Sequence, residues 1–204
     1  MLRDFLVWLQ TSLGKGEGEM AQSWSEALLG SLNFWGLLEG THLLGLMLFA
    51  GTIFIVDLRL LGVTFRRTPV SVLSDRVLPL TLWGFGLVVV TGIALFYAKP
   101  LFYYHNIWFR VKLVLILAAM ANIVWFHFRV QRNRTGWDRA PTPPRSAQLS
   151  AVLSLSAWIA VIFMGRFIAY DWYECGKPLP DFLNAAQSCA ASEKGARSLE
   201  RVAP

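Results

Sequence analysis

The stretch Glu39–Gly62 reads E-G-T-H-L-L-G-L-M-L-F-A-G-T-I-F-I-V-D-L-R-L-L-G and decides the class of fold. Its apolar part is long enough to cross a bilayer as a helix, which takes about 20 residues. It nevertheless holds Glu39 and His42 in its first turn, and Asp57 and Arg59 near its end. Ionisable groups inside a membrane span are costly and mark candidate functional sites. Because Glu39 and His42 are three residues apart, a helix presents them on one face.

The composition of the whole chain agrees with a membrane protein. Of its 204 residues, 55% are hydrophobic and only 16% are charged, and the mean hydropathy is +0.46. A soluble domain carries about a quarter charged residues, so soluble classes are excluded. The sequence pI near 9.7 would suggest nucleic acid as a partner. The basic residues, however, lie in the connections between apolar runs, where the rule for membrane orientation explains them. We therefore expect the lipid bilayer, and no nucleic acid, as a partner.

The pattern of apolar runs predicts an all-α integral membrane four-helix bundle. Within a membrane domain of residues 35–170, the spans are expected at about 35–56, 77–98, 107–128 and 147–170, in antiparallel order. The first apolar run extends back to residue 27 without a break, so we expect one helix over 27–56 whose first part lies in the membrane interface.

The N-terminal segment 1–34 is predicted to be interfacial. Its first 13 residues form an apolar stripe that is too short to span, which favours an amphipathic helix lying on the membrane. Ser23 and Glu26 have the spacing of a capping box and predict the start of the next helix.

The distribution of arginine predicts the orientation in the membrane. The two connections on one side carry an excess of six positive charges, which equals the net charge of the protein; they hold Arg59, Arg66, Arg67, Arg76, Arg129, Arg132, Arg134, Arg139 and Arg145 against Asp57, Asp75 and Asp138. Because positive connections stay in the cytoplasm, both termini are expected on the extracytoplasmic side. The tail 171–204 then lies outside the cytoplasm, where Cys175 and Cys189 are expected to form a disulfide, the alternative being two free thiols.

His42 is the strongest candidate for chemistry. Helix rise places it roughly 10 Å inside the outer face, counted from Trp35. One imidazole nitrogen can bind iron or a proton while the other is held by a neighbouring group, so His42 is predicted to be an axial haem ligand or a proton-transfer group coupled to Glu39. The alternative is a histidine that is only hydrogen-bonded within the bundle.

Basic residues of the later spans are predicted to join His42 at the outer face. Lys112 and Arg166 lie at matching depth, and with Glu39 they could form a pocket for a propionate, a quinone oxygen or another anionic group. The alternative is an ion-pair network that only locks three helices together. His105, in the outer connection, is a candidate second haem ligand, whereas His127 is expected to face head groups. Asp57 and Arg59 are interpreted as boundary and topology residues.

Several of these residues carry a resemblance to a known family. The chain resembles a group of small bacterial four-helix membrane proteins described as a domain of unknown function, through Glu39–Gly45, Gly51–Gly62, Arg76-Val-Leu-Pro79, Thr91-Gly92, Asn106-x-x-Phe109-x-x-Lys112, Ala121-Asn122 and Phe126-His127. Its layout is more distantly similar to HemJ-type protoporphyrinogen oxidases and to the membrane part of CopD-type copper proteins. The HemJ resemblance implies a first-span histidine and a third-span lysine-leucine near haem, which here are His42 and Lys112-Leu113. The bacterial group implies the inner membrane.

Three functions therefore follow as hypotheses. The first is a membrane redox protein with haem b near the outer face, His42 as its metal ligand, and a quinone or another membrane redox protein as its partner. The second is a non-enzymatic accessory or assembly subunit. The third is a small transporter, which ranks last because four spans are few and no inverted repeat is detectable.

Overall fold

The computed structural model describes residues 2–14, 16, 22–130 and 136–170. Within these residues the chain forms seven α-helices and no strand. The helices are α1 Leu2–Thr11, α2 Trp24–Gly30, α3 Leu32–Leu60, α4 Val70–Ala98, α5 Pro100–His105, α6 Ile107–Trp125 and α7 Arg145–Tyr170, and α6 continues as a π-helix over Phe126–Val130. The predicted tail 171–204, with Cys175 and Cys189, lies outside the described residues, so the disulfide stays a prediction.

Four of these helices are long and apolar enough to cross a membrane, namely α3, α4, α6 with its extension, and α7. Helices α3 and α4 each have 29 residues, and their length of about 43 Å exceeds the roughly 30 Å of bilayer hydrocarbon. Large apolar side chains such as Met47, Trp83 and Val90 are exposed on the surface of the helix bundle. A lipid environment suits such a surface better than water does. The prediction of an all-α fold with four candidate spans is confirmed.

The N-terminal helices pack at one end of the bundle. We call the end that carries α1, α2 and α5 the outer end, and the end that carries the connections 61–69 and 136–144 the inner end, after the predicted topology. The capping box is present as predicted, since Ser23 N donates to Glu26 Oε2 at 2.8 Å and Glu26 N donates to Ser23 Oγ at 3.2 Å. The Ser25 hydroxyl donates to Ala98 O at 2.9 Å and so ties α2 to the last residue of α4.

The expected single helix over 27–56 is interrupted at Ser31. Ser31 has extended backbone angles, ends α2, and caps α3 by accepting a hydrogen bond from Phe34 N. Apolar periodicity does not reveal this break, because the residues on both sides are apolar and a serine cap is a local hydrogen-bonding event. The expectation of one continuous helix was wrong, and α2 is a separate helix of seven residues.

The bundle core is built from two helix pairs. Helix α3 packs along α4, α6 packs along α7, and α3 also contacts α7, which joins the pairs. At the centre, Gly84 of α4 lies against the backbone of Phe49, and the Phe49 ring meets Trp158 of α7 edge-on, with 4.7 Å between ring centroids. The Phe85 ring also packs on the Phe49 ring, with 5.4 Å between their centroids. This aromatic layer separates the polar residues of the outer half from those of the inner half.

Arg59 is the central residue of the inner end. Its side chain is fully buried; Nε donates to Thr68 O at 2.8 Å and Nη2 donates to Ala140 O at 3.0 Å, so it holds both inner connections to α3. Asp138 of the second connection caps α4 in the same region, because it accepts from Ser71 N at 2.8 Å and from Ser71 Oγ at 2.6 Å. Arg59 lies one residue before the end of α3, and its burial adds a structural role to the predicted boundary role.

Candidate functional site

One residue set in the outer half of the bundle draws on all four long helices. It consists of His42 on α3, Thr91 and Gly92 on α4, Lys112 on α6 and Gly165 on α7, and we call it the outer cluster. Asn106 positions α6 for it, since its side chain accepts from Phe109 N at 3.1 Å and starts the helix just before Lys112.

The hydrogen bonds of His42 determine which ring nitrogen is available. The Thr91 hydroxyl lies 2.6 Å from Leu87 O, a distance that requires the hydroxyl to donate to that carbonyl. Thr91 Oγ1 therefore accepts from His42 Nδ1, which lies 2.8 Å away. This assigns the ring proton to Nδ1, and the backbone of Val88 is a second hydrogen-bond partner of the ring. In this tautomer Nε2 carries a lone pair, as a histidine needs to bind a metal through Nε2.

Two glycines, which have no side chains, lie against the polar groups of the outer cluster. A Cβ atom at Gly92 would lie 3.3 Å from His42 Cε1, and a Cβ atom at Gly165 would lie 3.4 Å from Lys112 Nζ. The separation at Gly92 is tight, so a larger residue there would push the imidazole from its place, whereas the separation at Gly165 is an ordinary van der Waals contact. The partly buried Lys112 ammonium is also within electrostatic range of the His42 ring. The charge of Lys112 thus acts on the His42 ring, and their joint role in a binding site stays a prediction.

Aromatic layers enclose the outer cluster above and below. On the outer side Phe96 of α4 stacks on Phe109 of α6 with 5.6 Å between centroids, and Tyr103 of α5 packs on Phe109 at 5.0 Å. On the inner side lies the layer of Phe49 and Trp158, two turns from His42 along α3. A flat apolar group with a polar edge suits this environment.

Glu39 does not join the cluster as predicted. Its side chain is exposed, and among the described residues no ion pair links it to Lys112 or Arg166. Its carboxylate acts instead on Tyr103: burial, and then the negative charge of Glu39, raise the pKa of that phenol.

Arg166 is likewise directed away from the cluster. Its Nη2 donates to Tyr170 Oη at 3.0 Å, and its guanidinium lies 5.0 Å from the centre of the Tyr170 ring. The side chain is exposed. The α7 residue that lies near Lys112 is Gly165, next to Arg166 in the chain. The prediction therefore named the residue adjacent to the one that makes the contact.

The other two histidines lie apart in the fold. His105 is the last residue of α5, with its ring edge-on to Tyr104 at 5.0 Å, and His127 lies in the π-helical turn against Phe128. Within the described part of the chain, no group of three or more His, Cys, Asp or Glu side chains is arranged to hold a metal ion. Any metal bound at the outer cluster would therefore take His42 as a single imidazole ligand unless His105 approached it.

Sequence reasoning missed three contributors to the cluster. Thr91 and Gly92 were noted only as a Thr-Gly motif, and Gly165 was not noted. A signal was present for the first two, because a threonine followed by glycine within an apolar span offers both a hydrogen-bond partner and space. For Gly165 the sequence offers no such signal, since the glycine matters only through its contact with Lys112.

Comparison with known proteins identifies one family. The chain matches the family model "Family of unknown function (DUF6644)" over residues 30–171, which includes α3 to α7 and every residue of the outer cluster. No curated protein and no solved structure matches the chain. The more distant resemblance to HemJ-type and CopD-type proteins therefore rests on the sequence features alone.

Proposed function

Since the chain belongs to the DUF6644 family, whose function is unknown, we propose from the outer cluster that it is a membrane redox protein that binds haem b, with His42 as axial ligand. The observation that carries this proposal is the bond from His42 Nδ1 to Thr91 Oγ1, because it places the ring proton on Nδ1 and so gives Nε2 the lone pair that iron needs. The neighbouring groups fit as well: Gly92, which has no side chain, makes room for the imidazole ring, and aromatic residues lie on both sides of the cluster.

Each residue of the cluster then has a defined task. Thr91 orients the imidazole and holds its proton on Nδ1. Lys112 supplies a positive charge beside Gly165 for a propionate or another anionic group. The aromatic layers exclude water. Haem, when bound, would supply one-electron transfer, for which a quinone or another membrane redox protein is the proposed partner; His105 is the proposed second ligand.

The visible absorption spectrum tests the proposal. Protein produced with haem supplementation and purified in detergent should show a Soret band, and His42→Ala should abolish it because the only imidazole of the cluster is lost. Thr91→Val removes the partner of Nδ1 and should weaken haem binding by about 10- to 100-fold. The matched control is His127→Ala, which removes a histidine at the inner end and should keep the band. His105→Ala should shift the spectrum if His105 is the second ligand.

The accessory-subunit alternative is favoured by one specific observation. The His42–Thr91 bond joins α3 to α4 directly, as a purely structural hydrogen bond between helices would. Colourless wild-type protein, with a lower melting temperature in both His42→Ala and Thr91→Val, would support this role and contradict haem binding.

The orientation and the membrane are proposed as well. We propose an inner-membrane protein with both termini outside the cytoplasm, supported by the excess of six positive charges over residues 57–76 and 129–145. Alkaline phosphatase fused after residue 204 should be active, and green fluorescent protein fused there should be dark. The same reporters inserted in the connection 61–69 should give the opposite result; active phosphatase at that site would reverse the topology.

A further inference from the structure

The buried carboxyl group of Asp57, near the inner end of α3, has no role in the outer cluster. Only 6% of the residue is exposed, and its Oδ2 atom is buried without a hydrogen-bond partner. The side chain of Ser154, on α7, is hydrogen-bonded to this carboxyl group. Asp57 lies about 22 Å from His42 along α3 and beyond the aromatic layer, so it does not share the outer site.

The residues that the structure describes place no positive charge beside Asp57. Arg59 is two residues away and therefore points to a different side of α3, where it donates to Thr68 O and Ala140 O. Arg76 of α4 is exposed. Among the described residues, no charged side chain acts on the Asp57 carboxyl group. A carboxylate buried at this depth needs a compensating positive charge, and beyond the described residues a bound cation or a proton can supply it.

Further polar groups of α6 and α7 lie within one helical turn of Ser154. Ser154 and Ser150 are both buried and lie one turn apart on the same face of α7. Ser150 Oγ donates to Asn122 Oδ1 at 3.1 Å, and Asn122 Nδ2 donates to Ser150 O at 3.0 Å, so these groups of α6 and α7 are held in place. A carboxylate with a hydroxyl oxygen suits a hard cation, and in the described part of the chain no group of three or more His, Cys, Asp or Glu side chains is placed to hold a transition metal.

We propose that Asp57 and Ser154 bind a monovalent cation of the sodium type between α3 and α7. Asp57 Oδ2 supplies the charge, and the Ser154 hydroxyl donates to the carboxyl group while its lone pairs face the ion; water completes the coordination. The site lies about 4.5 Å from the last residue of α3, so the ion enters from the inner end. Binding the ion joins α3 to α7 and thereby the two helix pairs of the bundle.

Sodium-dependent thermal stability tests this site. Full-length protein in detergent is melted at constant ionic strength and fixed pH, with NaCl replacing choline chloride. A ligand that binds only the folded state raises the melting temperature with concentration, so a saturable rise is expected with Na⁺ and a smaller rise with K⁺. Asp57→Asn should abolish the rise, and Ser154→Ala should move its midpoint to at least tenfold higher Na⁺. The matched control Asp75→Asn changes an exposed carboxylate of α4 and should leave the rise intact.

If Asp57→Asn does not fold, equilibrium dialysis of the wild-type protein with radioactive sodium measures the number of bound ions directly. One sodium ion per chain is expected. A melting temperature that does not depend on Na⁺, or that rises equally in Asp57→Asn, would overturn the proposal. A melting temperature that responds to pH but not to Na⁺ would overturn it in favour of a proton on Asp57. None of these measurements uses the haem spectrum, so the cation site and the proposed function succeed or fail separately.

Discussion

Replacing Gly84 by valine is expected to destabilise the protein by about 3 kcal/mol, at the upper end of what overpacking a core usually costs. A Cβ atom at this position would lie 2.7 Å from Phe49 N and 3.0 Å from Phe49 Cα, and these backbone atoms cannot rotate away. Helices α3 and α4 must therefore separate, which pulls the Phe49 ring from Trp158 and Phe85. A lower melting temperature in detergent, together with a change in tryptophan fluorescence, would report this.

Gly86→Val is the matched control. Gly86 lies two residues further along α4, and no atom approaches within 4 Å of the position that its Cβ would occupy. The same side chain added there enters open space, so stability should change by no more than about 0.5 kcal/mol. Equal effects of the two substitutions would show that valine itself, and not the contact with Phe49, causes the loss.

Replacing Arg59 by methionine is expected to cost about 3 kcal/mol or more. Methionine fills much of the same volume but donates no hydrogen bonds, so Thr68 O and Ala140 O lose their donor inside the folded inner end. Hydrogen bonds to a charged group contribute about 1.5–3 kcal/mol each. The melting temperature should fall, and limited proteolysis should cut the connections 61–69 and 136–144 faster, because Arg59 no longer holds them.

Two further variants separate the hydrogen bonds of Arg59 from its charge. Arg59→Lys keeps the positive charge but cannot donate in two directions from a planar group, so it should remain close to Arg59→Met in stability. Arg67→Gln removes the charge of an exposed arginine in the same connection and should have little effect. Full recovery of stability in Arg59→Lys would mean that the charge alone is needed and that the two described bonds are not.

Most of the secondary structure could be predicted from local sequence. The capping box of Ser23 and Glu26 was recognisable because both of its hydrogen bonds lie within four residues. The four long helices were recognisable because the thickness of a bilayer imposes a minimum apolar length that a sequence either reaches or does not. The break at Ser31 was missed, because one serine between two apolar stretches hardly changes the mean hydropathy of the surrounding residues.

The candidate site was predicted only in part. His42 and Lys112 were identified because an ionisable residue is rare in an apolar span and stands out without any knowledge of its neighbours. Glu39 and Arg166 were assigned to the same pocket by depth alone. Depth along a helix follows from counting residues, but the side of the helix that faces the bundle does not, and both side chains turned out to be exposed.

The sequence by itself determined that this protein is helical, that four of its helices can cross a membrane, and that His42 and Lys112 lie at similar depth. These properties depend on chain length, apolar content and helix rise, which are local quantities. Only the tertiary structure decided that His42 bonds Thr91, that Arg59 is buried, and that Asp57 meets Ser154. Those outcomes depend on the rotation of each helix about its axis, which the close contact of Gly84 with Phe49 and the packing of α3 on α7 set across distant parts of the chain.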